Sequence, residues 1–241
     1  MVGFQLRRLT RGAWSWVLPV LVFGYLTVRV MMRAPWSNGP GETLGWYDVI
    51  QAELLPVAVL VPVYAAFVVG SRIASDSAGF GALSCVRGRS AFSYVASMVV
   101  AGWLVVVGVI GSPIAGATVV SWMVAPAVTS NSPAPPLPSG FPSDTFGVIV
   151  SITGAVVAGA VFYVMLGAVV GLVVRRAALV PVVVGAFHLV VSFAAPPRWS
   201  PYSNMTLEVG TLTVQSVLLA WLAVTALGAI ALSGLARRLV T

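Results

Sequence analysis

Long apolar runs alternate with short polar connections along this chain of 241 residues. A helix needs roughly 20 consecutive apolar residues to cross a hydrocarbon core of about 30 Å. The runs that approach or exceed this length predict six transmembrane helices, over residues 14–32, 53–70, 91–111, 146–174, 177–195 and 212–236. The pattern therefore indicates an all-α, polytopic membrane protein in which residues 1–241 form a single transmembrane domain.

The N-terminal residues 1–13 have a different pattern. Val2, Leu6, Leu9 and Ala13 fall at helical spacing on one face, and the arginines are displaced from that face. An apolar face flanked by cationic side chains is typical of a helix that lies in the membrane interface. We therefore expect an interfacial helix before the first span.

The apolar stretch 91–127 is longer than one span requires. Dividing it at Gly111-Ser112-Pro113 would create a seventh span and place Arg175-Arg176 outside the cell. We therefore expect one span to end near Gly111. Residues 112–145 would then form an external segment, which begins with a short outer-leaflet or re-entrant stretch and continues as the proline-rich loop 131–140.

Composition and charge set the environment and the orientation. Apolar residues make up 59% of the chain and charged residues only 8%, so its outer surface must face lipid rather than water. Ten of the thirteen arginines lie on one side of the six predicted spans: Arg7, Arg8, Arg11, Arg72, Arg87, Arg89, Arg175, Arg176, Arg237 and Arg238. The positive-inside rule makes that side cytoplasmic, with both termini. We expect a multi-pass protein of the plasma membrane, and specifically of a bacterial cytoplasmic membrane. The arginines would contact anionic lipid rather than nucleic acid.

Several classes of site are excluded by composition. The chain has no lysine, so it lacks the Walker A loop that would bind ATP. Its single cysteine, Cys85, excludes an internal disulfide and a cysteine-rich metal site. None of the six acidic residues lies within four residues of another, and none is near His188, the only histidine, whereas a metalloprotease or lipid-phosphate transferase requires such a cluster. We expect no catalytic, metal-binding or cofactor-binding residues, and no enzyme activity in this chain.

The predicted cytoplasmic loop 72–90 carries the most specific pattern. It places an acid, a glycine, an apolar patch and two arginines in that order: Asp76, Gly79, Phe80, Leu83, Arg87 and Arg89. Here the chain resembles the permease subunits of type-2 ABC exporters, whose corresponding loop has an acidic residue, a glycine, a leucine-rich turn and an arginine before the third span. Many members also have a proline before that arginine, where this chain has Cys85-Val86. The resemblance extends to the six-span topology, the interfacial helix and the cytoplasmic ends.

The resemblance implies a function and partners. In that family the loop forms a coupling helix that docks in a groove on a separate ATPase subunit, which binds the ATP and Mg²⁺. Asp76, Arg87 and Arg89 would then anchor the loop by charge, and Phe80 and Leu83 would fill an apolar socket. We expect the chain to pair with a second copy or a similar permease and to export an amphipathic drug, lipid or peptide by alternating access. The alternatives are a membrane anchor or regulatory subunit that transports nothing, and a small carrier that does not use ATP.

Ionisable side chains within the predicted spans are costly and therefore merit attention. Arg29 and Arg33 lie one turn apart at the outer end of the first span, and Glu53 opens the second. Either they extend to the headgroups, or an Arg–Glu pair gates the outer mouth and contacts the cargo. His188 lies midway along the fifth span. Either it forms a hydrogen bond to a neighbouring helix, or it binds cargo or carries protons.

Overall fold

Helices form all the secondary structure in the described part of the chain. The computed structural model describes residues 2–12, 14–33, 53–78, 91–128, 145–196 and 200–206, with positions 225 and 228. In order the helices are α1 (Val2–Thr10), α2 (Trp14–Arg33), α3 (Leu55–Ala78), α4 (Ala91–Val106), a π-helical turn (Val107–Gly111), α5 (Ser112–Val128), α6 (Thr145–Val174), α7 (Leu179–Ala194) and α8 (Pro201–Thr206). The all-helical prediction is confirmed over these residues. The predicted sixth span, 212–236, lies outside them apart from the two helical positions.

Three stretches of helix are long and apolar enough to cross a membrane. They are Pro56–Ser77 within α3, Ser93–Met123, which runs from α4 into α5, and Phe146–Val174 within α6. Two shorter apolar helical stretches, Val17–Met32 and Leu179–Ala194, fall where the first and fifth spans are predicted. The described residues therefore have the helices of a membrane protein.

The sequence predicted that the helix beginning at Ala91 would end near Gly111. In the structure it does not end there. It passes through the π turn and continues as α5 to Val128. Pro113 cannot donate to the backbone and would crowd the carbonyl one turn earlier in a regular α-helix, and a π turn just before it relieves this conflict. Ser112 Oγ also donates to Gly108 O at 2.5 Å, which satisfies a carbonyl of the π turn. The Gly-Ser-Pro sequence therefore modifies the helix without ending it.

This continuous helix is longer than a bilayer is thick. Its 38 residues, Ala91–Val128, extend about 57 Å, nearly twice the hydrocarbon core of about 30 Å. Part of it must therefore lie beyond the hydrocarbon. Residues 112–128, expected to be a separate segment, are a helical extension of the third predicted span, and the proline-rich loop 131–140 lies outside the described residues.

Helices α3 and α6 form the centre of the fold through an unusually close crossing. A Cβ atom built on Gly70 would lie 2.4 Å from Gly167 O, and one built on Gly171 would lie 2.4 Å from Gly70 O. Each glycine therefore allows the two backbones to touch. Inside a bilayer the lipid is as apolar as the helix surfaces, so helices associate through van der Waals contact of this kind rather than through the hydrophobic effect. The small-residue spacing of Gly167 and Gly171, apparent in the sequence, has its partner surface on α3.

The other helices surround this pair. Helix α7 packs on both α3 and α6, α2 packs on α5, and α1 packs on the first part of α4. Leu9 of α1 is buried, and Val2 and Leu6 pack against the core, so these residues of the predicted apolar face contact the protein. The location of this helix in the membrane interface stays a prediction. The short helix α8 covers α6, where Met205 lies against Gly159.

Candidate functional site

Three side chains from three helices meet at Asp76, near the end of α3. Arg8 of α1 donates two hydrogen bonds to its carboxylate, from Nη1 to Oδ2 at 2.7 Å and from Nη2 to Oδ1 at 2.8 Å. The hydroxyl of Tyr94, near the start of α4, also donates to Oδ2. We call Arg8, Asp76 and Tyr94 the Asp76 clasp. It joins the N-terminal helix to both helices that flank residues 79–90.

The clasp stabilises a charge in an unfavourable place. The Asp76 side chain is only 12% exposed and lies in the last turn of α3, where the helix dipole disfavours an anion. The two-pronged contact from Arg8 offsets both costs, because a guanidinium matches the geometry of a carboxylate. The hydrogen bonds with Asp76 raise the pKa of Arg8, which therefore keeps its charge. Removing Arg8 would leave the acid largely uncompensated.

The clasp gives Asp76 hydrogen-bond partners within its own chain, and its contact with an ATPase subunit stays a prediction. The sequence pattern, through its resemblance, assigned this carboxylate to a contact with a partner subunit. In the structure both of its oxygens are engaged by the same chain. The remaining predicted coupling residues, Gly79, Phe80, Leu83, Arg87 and Arg89, lie outside the described residues.

Sequence reasoning missed two members of the clasp. Arg8 was counted only as a topology charge, although its pairing with Asp76 spans 68 positions of sequence. Tyr94 lies 18 positions after Asp76, and nothing in its local pattern marks it. The available signal was indirect: a partly buried acid near a helix end requires a nearby donor.

Further contacts bring other arginines to the same end of the bundle. Ser71 Oγ of α3 donates to the carbonyl of Ala177 at 2.8 Å, in the four-residue turn between α6 and α7. Arg175 and Arg176 are both exposed in this turn. Arg175 has a φ of 53°, a left-handed conformation that glycine adopts more readily at the end of a helix. The structure thus gathers arginines from α1, α3 and this turn.

A second ion pair joins the last part of α2 to the residues just before α3, at the opposite end of α3 from the clasp. Arg29 Nε donates to Glu53 Oε2 at 2.9 Å. The Glu53 side chain is 2% exposed, whereas that of Arg29 is 43% exposed. The structure therefore brings these two predicted residues together and links the end of α2 to the start of α3. Arg33 is the last residue of α2, and its side chain lies outside the described part. The gating role stays a prediction.

His188 is buried between α6 and α7. Its Nδ1 and the hydroxyl of Tyr163 are 2.6 Å apart, and the two rings meet edge to face with centroids 5.3 Å apart. This contact is the hydrogen bond to a neighbouring helix that the sequence left as one of two options. Among the described residues, His188 Nε2 has no hydrogen-bond partner. The same residues contain no cluster of three or more His, Cys, Asp or Glu that could hold a metal ion.

Comparison of the chain with family models, curated proteins and solved structures finds no match.

Proposed function

We propose that this chain is the transmembrane subunit of an ABC exporter. It crosses the plasma membrane six times, with both termini, the Asp76 clasp and residues 79–90 in the cytoplasm. Separate ATPase subunits bind ATP and Mg²⁺, and a second copy or a similar permease completes the pathway. The cargo is an amphipathic drug, lipid or peptide, since the spans offer few polar groups to recognise a hydrophilic one.

The Asp76 clasp is the observation that carries this proposal. A segment that transmits a conformational change from a partner to the transmembrane helices must be rigidly attached at both ends. A flexible attachment would allow the segment to move without moving the helices. Asp76 and Tyr94 bind the end of α3 to the start of α4, immediately before and after residues 79–90. Arg8 adds the N-terminal helix to the same point. Force applied to this loop therefore acts on three helices at once.

The packing of the core extends that connection. Helix α3 meets α6 backbone to backbone at Gly70, and α4 packs on α6, where Trp103 Nε1 donates to Val161 O at 3.2 Å. Movement of the clasp would therefore carry α3, α4 and α6 together as a rigid group. Alternating access needs such a group, because packed helices move as bodies rather than deforming continuously.

The roles of the coupling residues follow from this arrangement. Asp76 acts as an internal anchor. Phe80 and Leu83 supply the apolar plug, and Arg87 and Arg89 supply the charges that face the partner. Gly79 is the first residue after α3 in the sequence, and a glycine at this position would permit a sharp change of direction.

Site-specific crosslinking tests this proposal. A photo-reactive amino acid placed at Leu83, in the full chain in its own membranes, is expected to crosslink to an ABC ATPase subunit identified by mass spectrometry. The same probe at Ser130, in the predicted external segment, is the matched control and should give no such adduct. Leu83→Asp should leave insertion intact but abolish transport, with the ATPase subunits released or hydrolysing ATP without export, because a charge would enter an apolar socket. An adduct between position 83 and a protein without ATPase activity would contradict the exporter proposal.

The backbone contact between α3 and α6 favours a second candidate, a membrane anchor or regulatory subunit. Backbones that touch at Gly70, Gly167 and Gly171 leave no passage between these two helices. A chain that holds a partner at the membrane without moving cargo needs no passage. Crosslinking at Leu83 to a partner that lacks ATPase activity would favour this role.

A further inference from the structure

A groove of about 300 Å³ opens at the arginine-rich end of the bundle. One side of it is formed by Leu9 and Gly12, at the end of α1 and just beyond it. Ala177, in the turn between α6 and α7, also lines the groove, and α3 supplies most of the remaining lining residues. The volume is at the lower end of the range for small-molecule sites, so it fits part of a lipid rather than a whole one.

The lining of the groove changes polarity along α3. Its deeper half is apolar and aromatic and its predicted cytoplasmic half is polar, in the order Tyr64, Phe67, Val68, Ser71, Arg72 and Ser75. These positions follow helical spacing and cover about 16 Å along the axis, close to the thickness of one leaflet of hydrocarbon, about 15 Å. A phospholipid has the same order of chemistry, with acyl chains deep and phosphate at the surface, so the groove matches the headgroup end of a lipid and the upper part of its chains.

The charge of the groove favours an anion. Arg72 is exposed and makes no ion pair with any residue in the described ranges. The nearest acid along α3, Asp76, is already engaged by Arg8 and Tyr94. No acidic side chain is among the described residues that line the groove. Arg72 also lies near enough to Asp76 to interact with it electrostatically, but that carboxylate is held by the hydrogen bonds of Arg8 and Tyr94, so the polar half of the groove presents a guanidinium without a direct ion pair among the described residues.

We propose that this groove binds an anionic phospholipid of the inner leaflet. The lipid phosphate lies against Arg72, and the upper part of one acyl chain lies over Phe67 and Val68. Ser75 lines the same end of the groove but donates its hydroxyl to the carbonyl of Ser71, so Arg72 supplies the contact with the phosphate. Basic pockets between helices on the cytoplasmic side bind anionic headgroups by the same chemistry. The proposal requires the arginine-rich end to face the cytoplasm. It holds whether the chain exports a cargo or only anchors a partner.

Native mass spectrometry of the purified full chain tests the proposal. Phosphatidylglycerol and phosphatidylcholine with identical acyl chains are added separately to delipidated protein, and the dissociation constant of the first bound lipid is measured. Both lipids carry the same phosphate, but only phosphatidylcholine also carries a quaternary ammonium, whose positive charge is repelled by Arg72. The wild type should therefore bind phosphatidylglycerol about tenfold more tightly. Arg72→Gln should remove this preference. Arg7→Gln should retain it, because Arg7 is an exposed arginine of α1 outside the groove lining.

Two further measurements separate the possible sources of an effect. Gly12→Leu should weaken the binding of both lipids about tenfold, because a Cβ at Gly12 meets no atom within 4 Å and the side chain can extend into the groove. Inorganic phosphate should not displace the lipid, since it lacks the acyl chain. A preference for phosphatidylglycerol that survives Arg72→Gln, or Gly12→Leu without effect on either lipid, would overturn the assignment.

Discussion

Replacing Arg8 should destabilise the protein far more than replacing its neighbour Arg7. Arg8 donates two hydrogen bonds to Asp76, whereas Arg7 is an exposed residue of the same helix. Hydrogen bonds to charged groups contribute about 1.5–3 kcal/mol each, and partial exposure reduces this value. The side chains of Arg8 and Asp76 are 30% and 12% exposed. We therefore expect Arg8→Gln to lower the free energy of unfolding by about 2–3 kcal/mol, and Arg7→Gln by less than about 0.5 kcal/mol.

A double-mutant cycle separates the ion pair from other effects. Asp76→Asn keeps an acceptor for Tyr94 and removes the charge, so it should cost about 1–2 kcal/mol. The double variant, Arg8→Gln with Asp76→Asn, should lose no more than Arg8→Gln alone, because no uncompensated carboxylate remains. The coupling free energy should be about 1–2 kcal/mol.

Unfolding by sodium dodecyl sulfate in mixed micelles, followed by circular dichroism, measures these values. Thermal melting in detergent is a second readout, in which about 1 kcal/mol corresponds to about 2–4 °C for a chain of this size. Equal, small losses for Arg8→Gln and Arg7→Gln would refute the clasp. Strictly additive single losses would refute the direct pairing of Arg8 with Asp76.

Three further predictions use the same unfolding assay. Gly171→Ala should lower the free energy of unfolding by about 1–3 kcal/mol, because its Cβ would meet backbone on α3. The control Gly154→Ala, on the same helix with open space around it, should be neutral or stabilising. Equal losses for the two variants would contradict the close crossing. Arg175→Gly should stabilise the chain by up to about 1 kcal/mol, because glycine adopts a φ of 53° without strain; destabilisation would contradict this. Tyr163→Phe should cost about 0.6 kcal/mol, typical of a hydrogen bond between membrane helices, and no loss would contradict a stabilising bond to His188.

Hydropathy predicted helices better than it predicted where they end. The predicted span 146–174 corresponds to α6, Thr145–Val174, and 14–32 corresponds to α2, Trp14–Arg33. The predicted span 53–70 ended before Arg72, but α3 continues to Ala78. The end of an apolar run marks where a chain would leave the hydrocarbon. A helix can continue beyond that point for as long as its backbone N–H and C=O groups have hydrogen-bond partners. The last two turns of α3 therefore carry the polar residues of the groove and the clasp.

The candidate site could be predicted only in part. The loop pattern drew attention to Asp76, and the cost of buried charge drew attention to Glu53 and His188. The pairing of Glu53 with an arginine of α2 was one of two predicted options, and the structure contains it as Arg29–Glu53. The partners of Asp76 and His188 could not be predicted, because Arg8 and Tyr163 are brought to them by tertiary packing. A one-dimensional pattern shows that a buried polar group needs a partner and does not show which helix supplies it.

The side of the membrane that holds the arginine-rich end decides the functional account, because the proposed exporter requires an ATPase subunit that binds ATP in the cytoplasm. Single cysteines at Gly88 and Ser139, in a Cys85→Ser background, can be exposed to a membrane-impermeant maleimide in intact cells. The account predicts that Ser139→Cys is labelled and that Gly88→Cys is labelled only after the membrane is permeabilised. Labelling of Gly88→Cys in intact cells would contradict the cytoplasmic orientation and the proposals that depend on it.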